Sequence, residues 1–258
     1  PVLDITYPPV IVAAKVLFKA MRQRVVVTGS ESIPRKGGAL LAINHTGYID
    51  FIYAGAGAEP QKRLVRFMIK KEMMDKPGVG HLLRSFHHIR VDRSSGVQSM
   101  KDALAYLQAG EVVGIYPEAT ISRSFEIKEL KSGAARIAAD AGVPLIPVIV
   151  WGAHRLMTKD HEKDFSRSPK TILVKVGEPM YPTGEDVAAE TAELRAAMQQ
   201  MLDEAIAEYP EDEKKPGSWW IPARFGGSAP TPEEADELDK AELRARAAKR
   251  AAKREQGK

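Results

Sequence analysis

The sequence predicts an α/β protein: a mixed, largely parallel sheet flanked by helices, with an N-terminal amphipathic helix and a polar C-terminal extension. Short β-branched, apolar runs alternate with helix-length amphipathic stretches, the pattern of strands joined by crossover helices. At 258 residues, 44% hydrophobic and 28% charged, the chain has the size and composition for one sizeable globular domain with appendages.

Three parts are expected along the chain: a membrane-facing helix over 1–22, an α/β domain over 23–209, and an irregular arm with a basic, disorder-prone tail over 210–258. Val10 to Arg22 follows Pro8-Pro9 and reads as a helix, with Lys15, Lys19 and Arg22 on one stripe. Val10, Ala14, Leu17 and Met21 fall on the other side. A basic stripe on an apolar helix suits an anionic membrane surface; a helix packed on the domain with a solvated lysine edge fits equally. Strands are predicted at 24–28, 38–43, 63–69, 86–91, 112–116, 145–151 and 171–176, and helices at 48–57, 96–109, 129–141 and 185–209. Pro144 and Pro147 point to an edge or bent strand. The arm at 210–232 is rich in Pro, Gly and charge, and its Trp219-Trp220 pair reads as a packing latch or an interfacial anchor. From Thr231 onward the residues are mostly Ala, Glu, Lys and Arg, which suits a solvated helix or a disordered tail.

The net charge of +4 conceals a strong asymmetry. Residues 1–100 have eight positive charges in excess, 101–239 ten negative, and 240–258 six positive. Such alternation excludes a general nucleic-acid footprint and points to an anionic partner near the N-terminal part. The absence of Cys excludes disulfides, thiolate zinc sites and a cysteine nucleophile. No other His or carboxylate cluster has metal-ligand spacing, so no metal and no cofactor are expected. The longest apolar stretch, Val143 to Ala153, contains two prolines and falls short of the roughly 20 residues that span a bilayer. No secretory leader pattern appears, so a soluble or surface-bound protein is expected.

The most informative segment is Asn44-His45-Thr46-Gly47-Tyr48-Ile49-Asp50. A carboxylate on one imidazole nitrogen fixes the tautomer, leaving the other nitrogen free to take a proton from a hydroxyl. No Ser, Cys or Lys within the segment stands out as a nucleophile, so the proton is expected to come from a substrate alcohol. On one continuous helix, positions five apart point about 140° away from each other. Gly47 permits a tight turn between a buried strand and a helix start, and only such a turn folds His45 onto Asp50. The competing reading of His45 is a turn histidine with a solvated ring. A second pair, His87 and Asp92, lies in a strand-like run where positions five apart face opposite sides, so His87 and His88 read as structural.

Further blocks follow in order: Val91-Asp92-Arg93, then Tyr116-Pro117-Glu118-Ala119-Thr120 with Arg123 close behind, then Val143-Pro144-Leu145-Ile146-Pro147-Val148. With the NHxxxxD segment these resemble the four blocks of the 1-acylglycerol-3-phosphate acyltransferase family, over roughly residues 36–150. The third block departs from the family pattern, with Ala119 where glycine is usual and Ile121 where arginine is usual.

The resemblance implies an acyl group passing from acyl-CoA or acyl-carrier protein to the free hydroxyl of lysophosphatidic acid. It places that reaction at the cytoplasmic face of the membrane, on a peripheral protein with no transmembrane span. His45 is then the general base and Asp50 its orienter, with Asn44 and Gly47 shaping the motif. Arg93 is implied as the ligand of the acceptor phosphate, with Glu118 and Thr120 shaping the acceptor site. Arg123 is expected to replace the missing block-three guanidinium, and Lys70 and Lys131 to add positive potential. A different lysophospholipid or glycerol position, a non-catalytic membrane-binding relative, and a metal-dependent hydrolase are the competing readings.

Overall fold

The computed structural model describes residues 4–92 and 96–256. The strands are β1 (Gln23–Thr28), β2 (Ala39–Ile43), β3 (Val65–Lys70), β4 (Ile89–Val91), β5 (Val112–Ile115), β6 (Leu145–Trp151) and β7 (Lys170–Val176). The helices are α1 (Tyr7–Ala20), α2 (Asp50–Ala58), α3 (Lys71–Met74), α4 (Val79–Ser85), α5 (Gly96–Gln108), α6 (Gly133–Ala141), α7 (Val187–Glu208) and α8 (Pro232–Gln256).

The seven strands form one sheet in the order β1-β7-β6-β2-β5-β3-β4. All neighbouring pairs are parallel except β6 with β7. The connection between those two strands carries no α-helix, and the 3-10 turn Ala153–Arg155 is its one regular element. Parallel neighbours need a crossover, whereas antiparallel ones do not. Every residue of β2 is buried, because both faces of the central sheet are covered. Leu40 and Ala42 pack into the layer that contains Leu107 of α5, Ile137 of α6 and Met198 of α7. Leu41 and Ile43 pack into the opposite layer with Tyr53 and Ala54 of α2. Each fully buried Leu or Ile is worth about 1.5–3 kcal/mol relative to exposure. That alternation locks the register of β2, and with it the point where the chain leaves the sheet.

The structure adjusts several expectations. The predicted strand at 86–91 starts only at Ile89. Phe86 closes α4, and His87 adopts a left-handed φ of 55° as the helix ends. His88 is a core residue whose Nδ1 accepts the Phe67 N–H at 3.2 Å, and burial pushes its pKa down to about 3. β6 is an interior strand, so Pro147 does not mark a sheet edge. Its missing N–H is tolerated because the rungs between β6 and β7 run only from Val148 to Trp151. Leu17, on the apolar side of the first helix, is exposed along with Val12 and Val16. Phe18 is the ring that anchors α1, stacked on Tyr53 at 4.8 Å. The Trp pair is a latch: Trp219 stacks on His161 at 3.9 Å, while Trp220 is buried beside Trp151 and Tyr209. The segment from Thr231, read as a solvated helix or a disordered tail, forms the 25-residue helix α8.

Candidate active site

The site forms where β2 and β5, neighbours in the sheet, both end at its carboxyl edge. Asn44 stops β2 without leaving a gap. Its side-chain amide imitates a peptide, donating to the Val150 carbonyl at 3.1 Å and accepting the Val150 N–H at 2.7 Å. The main chain is then free to turn at His45. Gly47 gives that turn its tightness, since an added Cβ would sit 2.9 Å from the Met157 carbonyl oxygen and 3.1 Å from Asp50 Oδ1.

Asp50 opens α2 and reaches back over the turn. Its Oδ2 accepts the Thr46 and Gly47 N–H groups at 2.8 and 2.7 Å, and lies 3.4 Å from His45 Nδ1. The last distance is at the long edge for an N–H···O bond, a looseness common before substrate is bound. Asp50 is completely buried, and desolvation raises its pKa against the pull of His45, Gly47 and Thr46. Oδ1 has no protein partner. A carboxylate so poorly solvated gains strongly from any positive charge placed on the adjacent ring. With Nδ1 turned to the acid, Nε2 is the nitrogen left for a reacting proton. The His45 side chain retains 15% exposure, and the Tyr116 ring stacks on it at 4.3 Å and 29°.

Both ends of the His45 peptide unit are clamped. Its N–H donates to Glu118 Oε1 at 2.8 Å, and its carbonyl accepts the Ser122 N–H at 2.7 Å. The other Glu118 oxygen accepts the Lys128 N–H at 3.0 Å. The resemblance implies that Glu118 shapes the acceptor site. Instead both of its oxygens bind main chain, so it is a clip between the His45 turn and the 118–128 loop. Burial pushes its pKa up to about 7.

The other residues singled out from the sequence scatter. Thr120 Oγ1 accepts from Lys128 Nζ at 3.0 Å. Ala119 has a left-handed φ of 61°, the conformation the usual glycine adopts freely. Ile121 is buried and apolar, so no guanidinium stands at that position. Arg123 is buried too, but its fork is engaged: Nε meets Asp160 at 2.5 Å, Nη2 meets Glu242 at 2.8 Å, and Nη1 meets Asp239. Lys131 is exposed at the approach to α6. Lys70 ends β3, two strands away from β2, which at about 4.8 Å per strand is roughly 10 Å along the edge. Arg93 lies outside the described residues, and Asp92 before it pairs with Lys71 at 3.3 Å. Among the described residues no cluster of His, Cys, Asp or Glu could hold a metal ion.

Sequence reasoning did not single out Tyr116, Lys128 or Lys159 as site residues. The adjacency of β2 and β5 is what brings Tyr116 onto His45, and no local pattern reports that pairing.

The geometry has counterparts among known proteins. An acyltransferase family model matches residues 24–151. The 1-acyl-sn-glycerol-3-phosphate acyltransferase of Bacillus subtilis is 32% identical over 197 residues, spanning 76% of this chain and 92% of that protein. The enzyme of the same name from Pseudomonas aeruginosa is 28% identical over 72% of this chain and 70% of its own length. The crystal structure of the 1-acyl-sn-glycerophosphate (LPA) acyltransferase PlsC from Thermotoga maritima superposes with a TM-score of 0.66 at 24% identity. It covers 79% of this chain and 81% of that one, so the fold is shared. With the HxxxxD turn built as described and a relative matched over nearly its whole length, the chain belongs to the 1-acyl-sn-glycerol-3-phosphate acyltransferase family.

Proposed function

We propose that this acyltransferase moves an acyl group from a thioester, acyl-CoA or acyl-carrier protein, onto the free hydroxyl of lysophosphatidic acid to give phosphatidic acid. One observation carries the reading: an imidazole, still 15% exposed, whose Nδ1 faces a completely buried carboxylate. Nε2 takes the hydroxyl proton as the oxygen attacks the thioester carbonyl. The tetrahedral adduct then collapses, the C–S bond breaks, and the imidazolium returns its proton to the departing thiolate. Asp50 holds the ring in the needed tautomer and balances its transient charge, as the acid does in a hydrolase triad. Stacking on Tyr116 supports the same cationic state from the ring face. Arg93 is assigned by the family resemblance to the acceptor phosphate.

We infer that α1 brings the reaction to the cytoplasmic membrane face. No helix among the described residues is long and apolar enough to cross a membrane. Ile5, Val12, Val16 and Leu17 are exposed near Lys15 and Lys19, the composition of a helix lying in an anionic interface. A related acceptor is favoured by one observation, the carboxylates that already occupy Arg123.

The test is release of free CoA from acyl-CoA with lysophosphatidic acid, lysophosphatidylcholine or glycerol-3-phosphate as acceptor, beside His45→Ala. Release with lysophosphatidic acid that disappears in the variant is the expected result. Release only with another acceptor reassigns the substrate, and full activity in His45→Ala removes the proposed base.

A further inference from the structure

Three cations stand immediately next to the points where the His45 turn is tied down. Ser122, which donates to the His45 carbonyl, precedes Arg123. Lys128 donates its own N–H to the Glu118 carboxylate that clips His45. Thr158, whose hydroxyl donates to the Thr46 carbonyl at 2.6 Å, precedes Lys159. The three side chains converge on the same two carboxylates of α8. Asp239 pairs with Arg123 and Lys128 and lies 3.5 Å from Lys159, while Glu242 meets Arg123 at 2.8 Å and Lys159 at 3.1 Å. The Tyr48 phenol, inside the NHxxxxD segment, is raised by burial and then by the charges of Glu242 and Asp160. The acid groups of α8 therefore sit against the catalytic turn itself.

Little else holds α8 down. Ala235 is buried, but Leu238 and Leu243 face outward, and the helix contributes no large apolar side chain to the core. Its attachment is mostly electrostatic, and such contacts weaken with salt and exchange for other anions. The charges also match a ligand. Arg123, Lys128 and Lys159 face Asp160, Asp239 and Glu242, and Arg246 of α8 also pairs with Glu242, so the cluster holds one positive charge in excess with α8 in place. Without α8 it holds two positive charges in excess, the complement of a phosphate monoester carrying about −1.5 to −2 near neutral pH.

We propose that α8 is an autoinhibitory strap: Asp239 and Glu242 occupy the Arg123–Lys128–Lys159 cluster in place of a phosphate monoester, and a ligand bearing that group displaces the helix. The strap rests on the reading of His45 as the reacting base only for its effect on turnover; the displacement itself does not depend on that reading.

Hydrogen–deuterium exchange over residues 232–248 of the full chain tests it, at constant ionic strength, with chloride, inorganic phosphate or lysophosphatidic acid. Exchange at least threefold faster with phosphate and lysophosphatidic acid than with chloride supports displacement by the free ion. Acceleration by lysophosphatidic acid alone assigns the group to the lipid headgroup. Equal exchange in all three overturns the strap. In parallel, the full-length double variant Asp239→Asn/Glu242→Gln should lower the acceptor KM by about tenfold with kcat held within twofold, because the competing anions are gone. An unchanged or raised KM in a folded variant also overturns it. If neither protein releases CoA, the proposed reaction fails while the exchange experiment still decides the strap.

Discussion

The turn at 44–50 and the helix α8 are both polar, yet they are held in opposite ways. The turn is fixed by neutral main-chain bonds at short range and by a buried carboxylate, with Asn44, Asp50 and Glu118 each satisfying backbone groups. The helix is fixed by charged side chains 83 to 119 residues away in sequence, as between Lys159 or Arg123 and Glu242. Backbone bonds inside a core are almost indifferent to salt, whereas ion pairs at a rim are screened. The contrast teaches where precision and where mobility are built: the backbone of the His45 turn is fixed, and the element facing it is held by forces that solution conditions change.

The strongest way to sharpen this contrast is His45→Ala. Loss of a general base is expected to lower kcat/KM by about 10³-fold with only a modest fall in Tm, since the ring's packing is confined to the Tyr116 stack and the Asp50 contact. A large fall in Tm would show that the imidazole is structural. Asn44→Ala should do the reverse. It leaves the Val150 N–H and carbonyl unpaired in the core, at a cost of roughly 2–3 kcal/mol in urea unfolding. A loss under 0.5 kcal/mol, by order of magnitude, would mean that the amide is not the strand stop.

Glu118→Gln probes the clip. A carboxamide offers one acceptor and turns its NH2 toward the second N–H, so the His45 turn loosens and turnover falls. The same variant has a pH signature. Burial raises the folded pKa of Glu118 to about 7 from an ordinary 4.5, so the native state holds that proton more tightly than the unfolded chain. The resulting stability is fully present below about pH 4.5 and fades as pH rises through about 7. Between pH 5 and 8 the wild type should therefore lose roughly 2 kcal/mol more than Glu118→Gln. Parallel stability curves would mean that the clip stays ionised throughout. At α8 the sign reverses. Burial alone would raise Glu242, but its bonds to Arg123 and Lys159 bring it down to about 2. The strap is therefore intact at neutral pH and loosens as pH falls from about 4.5 through about 2. The smallest effect is expected for Ala119→Gly, a gain below about 1 kcal/mol from relief of the left-handed φ. A loss would show that the alanine methyl makes a contact worth more than the strain.

The same division explains what could be read from the sequence. The strand and helix pattern and the closure of His45 onto Asp50 are local, decided within a few residues by apolar alternation and one glycine turn. One error of detail, the start of β4, came from the end of a short helix taken for a strand, while the structural reading of His88 holds. The role of Glu118 was not legible, because its partners are backbone groups of residues 45 and 128 that no side-chain pattern reveals. Arg123 pointed to an anion, but two of its three carboxylate partners, Asp239 and Glu242, lie in a segment whose composition gave no reason to place it beside the turn.

The arm before α8 has a mechanical consequence. Trp220 is buried, and Glu213 accepts from Thr171 of β7, so the chain is pinned just ahead of the helix. From that pivot, 25 residues at about 1.5 Å each make a rod some 37 Å long, with Asp239 only about 10 Å along it. A displacement of 2 Å where the acids sit, by simple leverage, becomes roughly 7 Å at the far end. An event the size of a single headgroup is thereby magnified into a swing broad enough to be read by a probe attached near residue 256.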